Sequence, residues 1–212
     1  KVPKPGETKT RLMTQISGEE CVMLHLACLR DICHTVKDLD VQGYVYFTET
    51  NEVDLPPQII KRLQRGYDLG QRLYNAAVEV LAEYDKLIFL GADLPNLTAD
   101  LLQKAIDYLD EFDTVIGPAT DGGYYLLGIR NAHAKLFADI EWGGAKVLDQ
   151  TIEQIAESKL SYILLESKND IDTWEDLIDF YEGNKVRNTS ALMLKTFGIT
   201  KTLVEKYVGS DL

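Results

Sequence analysis

Short apolar runs that alternate with longer amphipathic segments constrain the fold of this chain more than any other feature of its sequence. Residues 86–91 (KLIFLG) and 114–117 (TVIG) are continuous rather than alternating apolar runs, and strands of this kind are buried on both faces of a sheet. Segments with apolar residues at helical spacing lie between them. This order predicts an α/β protein, specifically a three-layer α/β/α sandwich with a mixed, mostly parallel sheet.

The same patterns predict where the helices and strands lie. Ser17 and Glu20 form a capping box before the first helix, and Thr173 begins a short helix that runs to Tyr181. The remaining predicted helices have apolar faces within residues 69–84, 101–109 and 147–155, and the predicted strands are 43–48, 86–91, 114–117, 124–129 and 161–165. The link 121–123 is too short for a crossover helix, so one strand of that pair is expected to run antiparallel.

The length of 212 residues fits one domain with a small appendage. We expect a domain over residues 1–184 and a helical extension over 185–212, in which two helical patterns surround Gly198. The extension would pack on the domain or on a second subunit, which makes a homodimer through these helices possible. Loops like the one that opens the chain normally follow a buried strand, so we also expect a first strand before Lys1.

Composition argues against several classes of function. The chain has 22 Lys and Arg against 34 Asp and Glu, whereas a nucleic-acid-binding protein needs a broad basic surface. No apolar run approaches the roughly 20 residues of a membrane span, and we expect no signal peptide. We therefore expect a cytoplasmic protein that binds neither nucleic acid nor membrane.

All three cysteines fall in the first predicted helix. Cys21, Cys28 and Cys33 are predicted to be small buried apolar residues in a reducing compartment. His25 and His34 lie in the same helix, so a metal site of Cys and His side chains is the alternative.

Residues 1–12 form a basic loop on an otherwise acidic protein. A local positive field attracts a small anion even when the net charge is negative, and an irregular backbone fixed by Pro and Gly can turn N–H groups toward phosphate oxygens. The basic residues of the loop are Lys1, Lys4, Lys9 and Arg11. The alternative is a solvated basic segment, and the match to the G-x-x-x-x-G-K-[ST] phosphate loop fails because one glycine is missing.

Three acid-bearing segments lie at or near the ends of predicted strands, where ligands of open α/β sheets bind. Asp93 follows strand 86–91 and suits a divalent metal ligand, with a turn residue as the alternative. Asp121 and its two glycines form either a hairpin turn or room for a ligand. Asp170 and Asp172 offer a second metal-binding acid, or they belong to a helix cap.

Residues 64–72 (QRGYDLGQR) lead into the second long helix. Gly66 and Gly70 would allow a ligand to approach closely, and Arg72 can pair with an anion. The alternative is that Arg72 is a surface residue.

Taken in order, these segments resemble a known family. The motifs are K-x-P-x-P-G-x-x-K-T-R-L, G-x-D-L-G-x-R, G-x-D-x-P-x-L, I-G-P-x-x-D-G-G-Y-Y-L-L-G and D-I-D-T-x-x-D-L, and they cover about residues 1–180. They resemble the bacterial glycosyltransferase-like family of nucleotide-diphospho-sugar transferases, which is related to the phospholactate and molybdenum-cofactor guanylyltransferases. The resemblance implies a glycosyltransferase-A-type fold.

The resemblance also implies roles for individual residues. Asp93 and Asp172 would hold Mg²⁺ or Mn²⁺, and Asp121 with Gly122 and Gly123 would form the acceptor-side turn. The implied nucleotide-binding residues are Lys1, Pro5, Gly6, Lys9, Thr10, Arg11, Gly66, Gly70 and Arg72.

The implied activity is metal-dependent transfer from an activated nucleotide. The first expectation is glycosyl transfer from a nucleotide-diphospho-sugar to a small-molecule acceptor. The alternatives are nucleotidyl transfer from a nucleoside triphosphate with release of pyrophosphate, and a non-catalytic nucleotide-sugar binding module. Lys9 and Arg11 would neutralise the departing phosphates, while Asp121 would accept a proton from the acceptor.

Overall fold

The computed structural model describes residues 1–185 and 194–208 and confirms the mixed α/β architecture. The strands are β1 (Gly43–Phe47), β2 (Ile59–Leu63), β3 (Leu87–Leu90), β4 (Thr114–Pro118), β5 (Tyr124–Ile129) and β6 (Tyr162–Leu164). The α-helices are α1 (Gly18–Lys37), α2 (Leu69–Leu81), α3 (Ala99–Glu111), α4 (Val147–Glu157), α5 (Trp174–Lys185) and α6 (Leu194–Tyr207). Two short 3₁₀ helices span Thr10–Thr14 and Ala134–Phe137.

The strands form a pair and a four-stranded sheet. The sheet has the order β3-β5-β4-β6; β5 runs antiparallel to β3 and β4, and β6 runs parallel to β4. Three of its four strands therefore share one direction. The antiparallel connection predicted at residues 121–123 is confirmed. The separate pair β1-β2 is parallel.

Helices cover both faces of the sheet, which confirms the predicted three layers. Val115 of β4 packs in a core cluster with Leu109 of α3. Its neighbour Ile116 packs on the opposite face with Ala77 of α2 and Ile155 of α4. Successive residues of a strand point to opposite faces, so one sequence run fills two cores.

The first helix begins where the sequence predicts. The Ser17 hydroxyl accepts from the Glu20 backbone N–H at 3.2 Å, and the Glu20 carboxylate accepts from the Ser17 backbone N–H at 2.8 Å. The three cysteines are buried on this helix without a disulfide, as predicted for apolar core residues.

The described part of the predicted C-terminal extension consists mainly of one helix, α6, which passes through Gly198. It packs on α1 and α5 of the same chain, with Leu203 and Val204 in their shared core. The buried Asp31 carboxylate also accepts the Thr196 backbone N–H at 2.9 Å. The rest of the extension, residues 186–193 and 209–212, lies outside the described residues, and the homodimer stays a prediction.

None of the helices in the described ranges, 1–185 and 194–208, is long and apolar enough to cross a membrane.

Candidate functional site

Lys9 connects its own loop with Asp93 and Ile171, which lie in two distant parts of the sequence, beyond the carboxyl end of β3. Its ammonium group lies 2.6 Å from Asp93 Oδ1 and donates to the Ile171 backbone oxygen at 2.5 Å, across a separation of 162 residues. The Ile171 N–H in turn donates to the Asp93 backbone oxygen at 3.1 Å. Lys9 has a left-handed backbone with φ of 48°, an unfavourable conformation for a residue with a side chain, so these contacts must hold it in place.

The Lys9–Asp93 pair is buried on one side only. The Lys9 side chain is 3% exposed, whereas the Asp93 side chain is 40% exposed. Burial acts to lower the pKa of Lys9, but the Asp93 carboxylate outweighs it and raises that pKa above its usual value. Burial acts to raise the pKa of Asp93, but His25 and Lys9 hold it well below its usual range. Asp93 is therefore a fixed carboxylate with one side open to a ligand.

His25 is a site residue that the sequence analysis considered only as a member of a Cys and His metal site. Its Nδ1 lies 3.3 Å from Asp93 Oδ1, across 68 residues. The sequence could have identified His25, because helical spacing places it on the buried face of α1 with Cys21 and Cys28. A polar ring on a buried face needs a hydrogen-bond partner. His34 instead contacts the Arg30 backbone oxygen of its own helix at 2.7 Å.

Asp170 is the least satisfied acid of the site. Among the described residues its buried Oδ1 has no hydrogen-bond partner. Burial, followed by repulsion from Asp93 and Asp121, raises the pKa of Asp170 to about 6, although the Lys9 charge opposes this. A cation placed beside this carboxylate would remove the repulsion and supply the missing partner.

The unpartnered oxygen makes Asp170 a candidate for holding a divalent cation together with Asp93, beside the predicted pair of Asp93 and Asp172. Asp172 is half-exposed and already paired with the Arg11 guanidinium. No group of three metal-ligating side chains occurs in the part of the chain that the structure describes. Mg²⁺ is usually held by one or two carboxylates together with substrate phosphates, so a pair of carboxylates is enough for the predicted ion. The Mg²⁺ or Mn²⁺ stays a prediction.

The helix cap that was the alternative to a metal-binding role for residues 170–172 is also present. The Thr173 hydroxyl accepts from the Asp176 backbone N–H at 3.2 Å, and the Asp176 carboxylate accepts from the Thr173 backbone N–H at 2.7 Å. The cap fixes the start of α5 and leaves the Asp170 side chain out of these bonds.

The basic loop lies beside these acids. Lys1 lies close to both Arg72 and Asp93. Lys4 points elsewhere, to Glu49 at 2.6 Å.

The glycines of residues 64–72 are explained by packing. A Cβ on Gly70 would lie 2.3 Å from the Phe137 backbone oxygen, and one on Gly66 would lie 2.9 Å from the Arg72 backbone nitrogen. Arg72 Nε donates to the Gly66 backbone oxygen at 3.0 Å. Arg72 also lines a cavity of about 440 Å³ between the strand pair and α2, and none of the site acids lines this cavity.

Within the loop, Gly6 has a positive φ of 85° with open space around its Cα. Pro5 and Gly6 lie against Gly18, at the start of α1. Thr10 is the first residue of the 3₁₀ helix that carries Arg11. The contacts of these residues within the chain do not test whether they also touch a ligand, so their nucleotide-binding roles stay predictions.

The turn at Asp121 is held by its own contacts. Asp121 Oδ1 accepts the Gly123 N–H at 2.9 Å, and the Gly122 oxygen accepts the Leu148 N–H at 2.9 Å near the start of α4. Gly122 has φ of 90°, and a Cβ there would lie 2.0 Å from the Ala145 oxygen. The turn therefore has a structural role whether or not it also binds an acceptor.

We expect Gly122→Ala to lower the free energy of unfolding by at least about 2 kcal/mol, because both the left-handed backbone and the Ala145 oxygen exclude a side chain. Gly183→Ala is the matched control: Gly183 lies in α5 with nothing within 4 Å of an added Cβ, so we expect a gain of up to about 1 kcal/mol. Urea unfolding measures both. Equal effects would contradict the close packing at Gly122.

Two known proteins are similar to this chain in sequence. The 2-phospho-L-lactate guanylyltransferase of Methanocaldococcus jannaschii is 28% identical over 201 residues, which cover 90% of this chain and 84% of that protein. The enzyme of the same name from Methanocaldococcus sp. (strain FS406-22) is 29% identical over 182 residues, covering 82% and 75%.

A solved structure extends the likeness to three dimensions. The crystal structure of a "putative nucleotide-diphospho-sugar transferase" from Desulfovibrio desulfuricans G20 matches with a TM-score of 0.84 and 31% identity, covering 97% of this chain and 94% of that one. The predicted fold is thereby confirmed. A family model also matches residues 34–144, about half of the sequence. The chain therefore belongs to the family described as uncharacterized protein conserved in bacteria (DUF2064).

Proposed function

We propose that this chain is a transferase that acts on an activated nucleotide, and that it transfers a nucleotidyl group from a nucleoside triphosphate to a phosphorylated small molecule. The observation that carries this proposal is the fixed Asp93 carboxylate, held by Lys9 and His25 beside the unpartnered oxygen of Asp170. This acidic pair lies next to a basic loop, an arrangement suited to a cation and the phosphates that it binds.

Asp93 and Asp170 are the residues that would hold Mg²⁺ or Mn²⁺, and the ion would neutralise charge on the phosphates. Lys9 has a different task from the predicted one. Its ammonium is almost fully buried and already contacts Asp93 and the Ile171 oxygen, so it orients Asp93 rather than reaching a phosphate.

The basic groups that remain available to bind the phosphates are more exposed than Lys9. Arg11 is 67% exposed and contacts only Asp172 among the described side chains. Lys1 lies close to both Arg72 and Asp93. Positive groups placed where a leaving pyrophosphate gains charge lower the barrier.

Two observations favour nucleotidyl over glycosyl transfer. The relatives in Methanocaldococcus are named guanylyltransferases. In addition, Asp121, the predicted base, has one carboxylate oxygen engaged with the Gly123 N–H. An acceptor phosphate is already an anion near neutral pH and needs no base. Its oxygen would attack the α-phosphorus, a new P–O bond would form, and the bond to the β-phosphate oxygen would break to release pyrophosphate.

Glycosyl transfer is the second candidate, favoured by the likeness to the Desulfovibrio protein. A hydroxyl acceptor would need a base, and Asp121 is the available carboxylate. The two reactions therefore differ in their response to Asp121→Asn, which should slow glycosyl transfer by about 10²-fold or more and affect nucleotidyl transfer much less.

The test uses a panel of donors with Mg²⁺ or Mn²⁺. Each of the four common nucleoside triphosphates is incubated with phosphorylated hydroxy acids, and pyrophosphate is measured through a coupled pyrophosphatase. Sugar nucleotides are incubated in parallel with hydroxyl acceptors, and released nucleoside diphosphate is measured. We expect acceptor-dependent pyrophosphate release. Release of diphosphate alone would instead support glycosyl transfer, and binding without release from any donor would support the non-catalytic module.

A further inference from the structure

β2 and β6 each have one unpaired edge, and the two edges differ in how they are protected. Among the described strands, β2 pairs only with β1, and β6 pairs only with β4. An unpaired edge can bind the edge of another chain, and proteins commonly prevent this with charged residues or proline. β2 carries the exposed Lys61 and Arg62. β6 lies within residues 160–165 (LSYILL), which contain neither a charge nor a proline.

β6 also exposes two large apolar side chains. Tyr162 is 38% exposed and Leu164 is 44% exposed. Successive residues of a strand point to opposite faces, so these two side chains share one face. Ile163 lies on the other face, where it packs against the core cluster that includes Val115 of β4. An apolar edge strand without protecting charges is a site of association with another chain.

The free backbone groups of β6 belong to the same two residues. The Ser161 oxygen accepts an N–H of β4 at 3.0 Å, and the Leu165 N–H donates to an oxygen of β4 at 2.8 Å. Every second residue of a strand bonds a given neighbour in a parallel ladder, so the backbone groups of Ile163 face β4 as well. The N–H and C=O groups of Tyr162 and Leu164 therefore point away from β4, toward the unpaired edge.

A second copy of β6 matches this edge in backbone and side chains. When two copies run antiparallel about a two-fold axis at Ile163, Tyr162 of each copy lies opposite Leu164 of the other. Because both residues point outward, each pair can exchange two N–H···O=C bonds. Their exposed side chains lie on one face and cover each other across the pair. The contact uses the same patch on both copies, so it closes as a dimer.

Charge also favours a second copy at β6. Like charges that lie opposite each other in a strand pair are destabilising, so the two basic residues of β2 oppose pairing of that strand with its own copy. The segment 160–165 is uncharged, with Lys159 before it and Glu166 after it. Antiparallel pairing brings Lys159 of one copy near Glu166 of the other. The Glu166 side chain is 66% exposed although it contacts Lys168, so it remains open to a second cation.

We propose that β6 pairs antiparallel with β6 of a second copy of this chain and joins the two four-stranded sheets into one continuous sheet. This contact is separate from α6, which packs on α1 and α5 of its own chain. It is also independent of the reaction that the protein catalyses.

Two proline variants test the contact, each placed where a leucine N–H points to an unpaired edge. Leu164→Pro removes an outward N–H of β6 but keeps the bonds with β4, which use Ile163 and Leu165. Leu63→Pro is the matched control on β2, because Leu63 is 47% exposed and the neighbouring Gln64 N–H is the one that bonds β1.

Sedimentation velocity measures the mass of the unaltered chain and both variants from about 1 to about 200 µM. We expect the unaltered chain and Leu63→Pro to form dimers, whereas Leu164→Pro needs at least about tenfold higher concentration to do so. Circular dichroism verifies that each variant is folded.

Hydrogen exchange of the unaltered chain tests the same contact without a substitution. In the monomer, the N–H groups of Ile163 and Leu165 are bonded to β4, whereas those of Tyr162 and Leu164 point to the unpaired edge. In the dimer all four are bonded. We expect exchange at Tyr162 and Leu164 to slow by about tenfold or more as the concentration rises through the dimerisation range, as measured by NMR.

Three outcomes would overturn the proposal. The first is a monomer at every concentration, with fast exchange at Tyr162 and Leu164. The second is a dimer that Leu164→Pro leaves intact, which would assign the contact to another surface such as α6. The third is slow exchange of these two amides in the monomer, which would show that the chain covers this edge itself. None of these readouts depends on activity, so they are separate from the test of the proposed function.

Discussion

Replacing Asp93 with Asn lowers turnover by on the order of 10³-fold and abolishes the Mg²⁺ dependence of nucleotide binding, because the charge that holds the cation is lost. Asn has nearly the same size as Asp, so the turn after β3 keeps its shape. Steady-state rates and nucleotide binding with and without Mg²⁺ measure the two effects. Both should be measured at a temperature where circular dichroism shows the variant to be folded.

Two further variants identify the second acid. If Asp170 shares the cation with Asp93, we expect Asp170→Asn to lower turnover by on the order of 10²-fold. We expect Asp172→Asn to lower turnover by less than about tenfold, because Asp172 is exposed and paired with Arg11. Asp113 provides a neutral control, because its carboxylate bonds Ser161 at the other end of β4. Full Mg²⁺-dependent activity in the Asp93 variant would contradict the cation site, and a larger loss for Asp172 would restore the pair predicted from the sequence.

The parts of the fold that the sequence predicts correctly depend on neighbouring residues. The capping box needs only Ser17 and Glu20, and the antiparallel turn needs only Asp121 and the glycines after it. β2 was not predicted because its sequence, IIKRL, has two apolar residues followed by two charged ones. It becomes a strand through its ladder with β1 and the burial of Ile59, and neither is visible locally.

For the candidate site, too, the sequence predicts some features, whereas others depend on packing between distant residues. The order of the motifs indicates that Lys9 and Asp93 belong together, and the structure brings them into contact. The sequence does not indicate that Lys9 is buried; its phosphate contact stays a prediction, and the positioning role is proposed from its burial against Asp93. Asp170 and Asp172 are two residues apart, and only the packing of the described residues shows that Asp170 Oδ1 is buried without a hydrogen-bond partner among them.

Removing the carboxylate of the Lys9–Asp93 pair is expected to destabilise the protein more than removing the ammonium group. Asp93→Ala leaves the nearly buried Lys9 charge with only the Ile171 oxygen, and an uncompensated buried charge costs about 3–5 kcal/mol. Lys9→Met keeps an apolar side chain of similar length and leaves an Asp93 that is 40% exposed and still contacts His25. Water can solvate that carboxylate, so we expect a cost of only about 1–2 kcal/mol.

The double variant separates this explanation from a simple loss of contacts. If the cost of Asp93→Ala comes from the stranded Lys9 charge, adding Lys9→Met removes that charge, and the double variant should be more stable than Asp93→Ala alone by about 1–2 kcal/mol. If the cost came from lost packing, the two losses would add and the double variant would be the least stable of the three. Urea unfolding of the three variants at pH 7 distinguishes these outcomes. Additive losses would show that Lys9 is solvated in the absence of Asp93, and would remove the case for its role in holding that carboxylate.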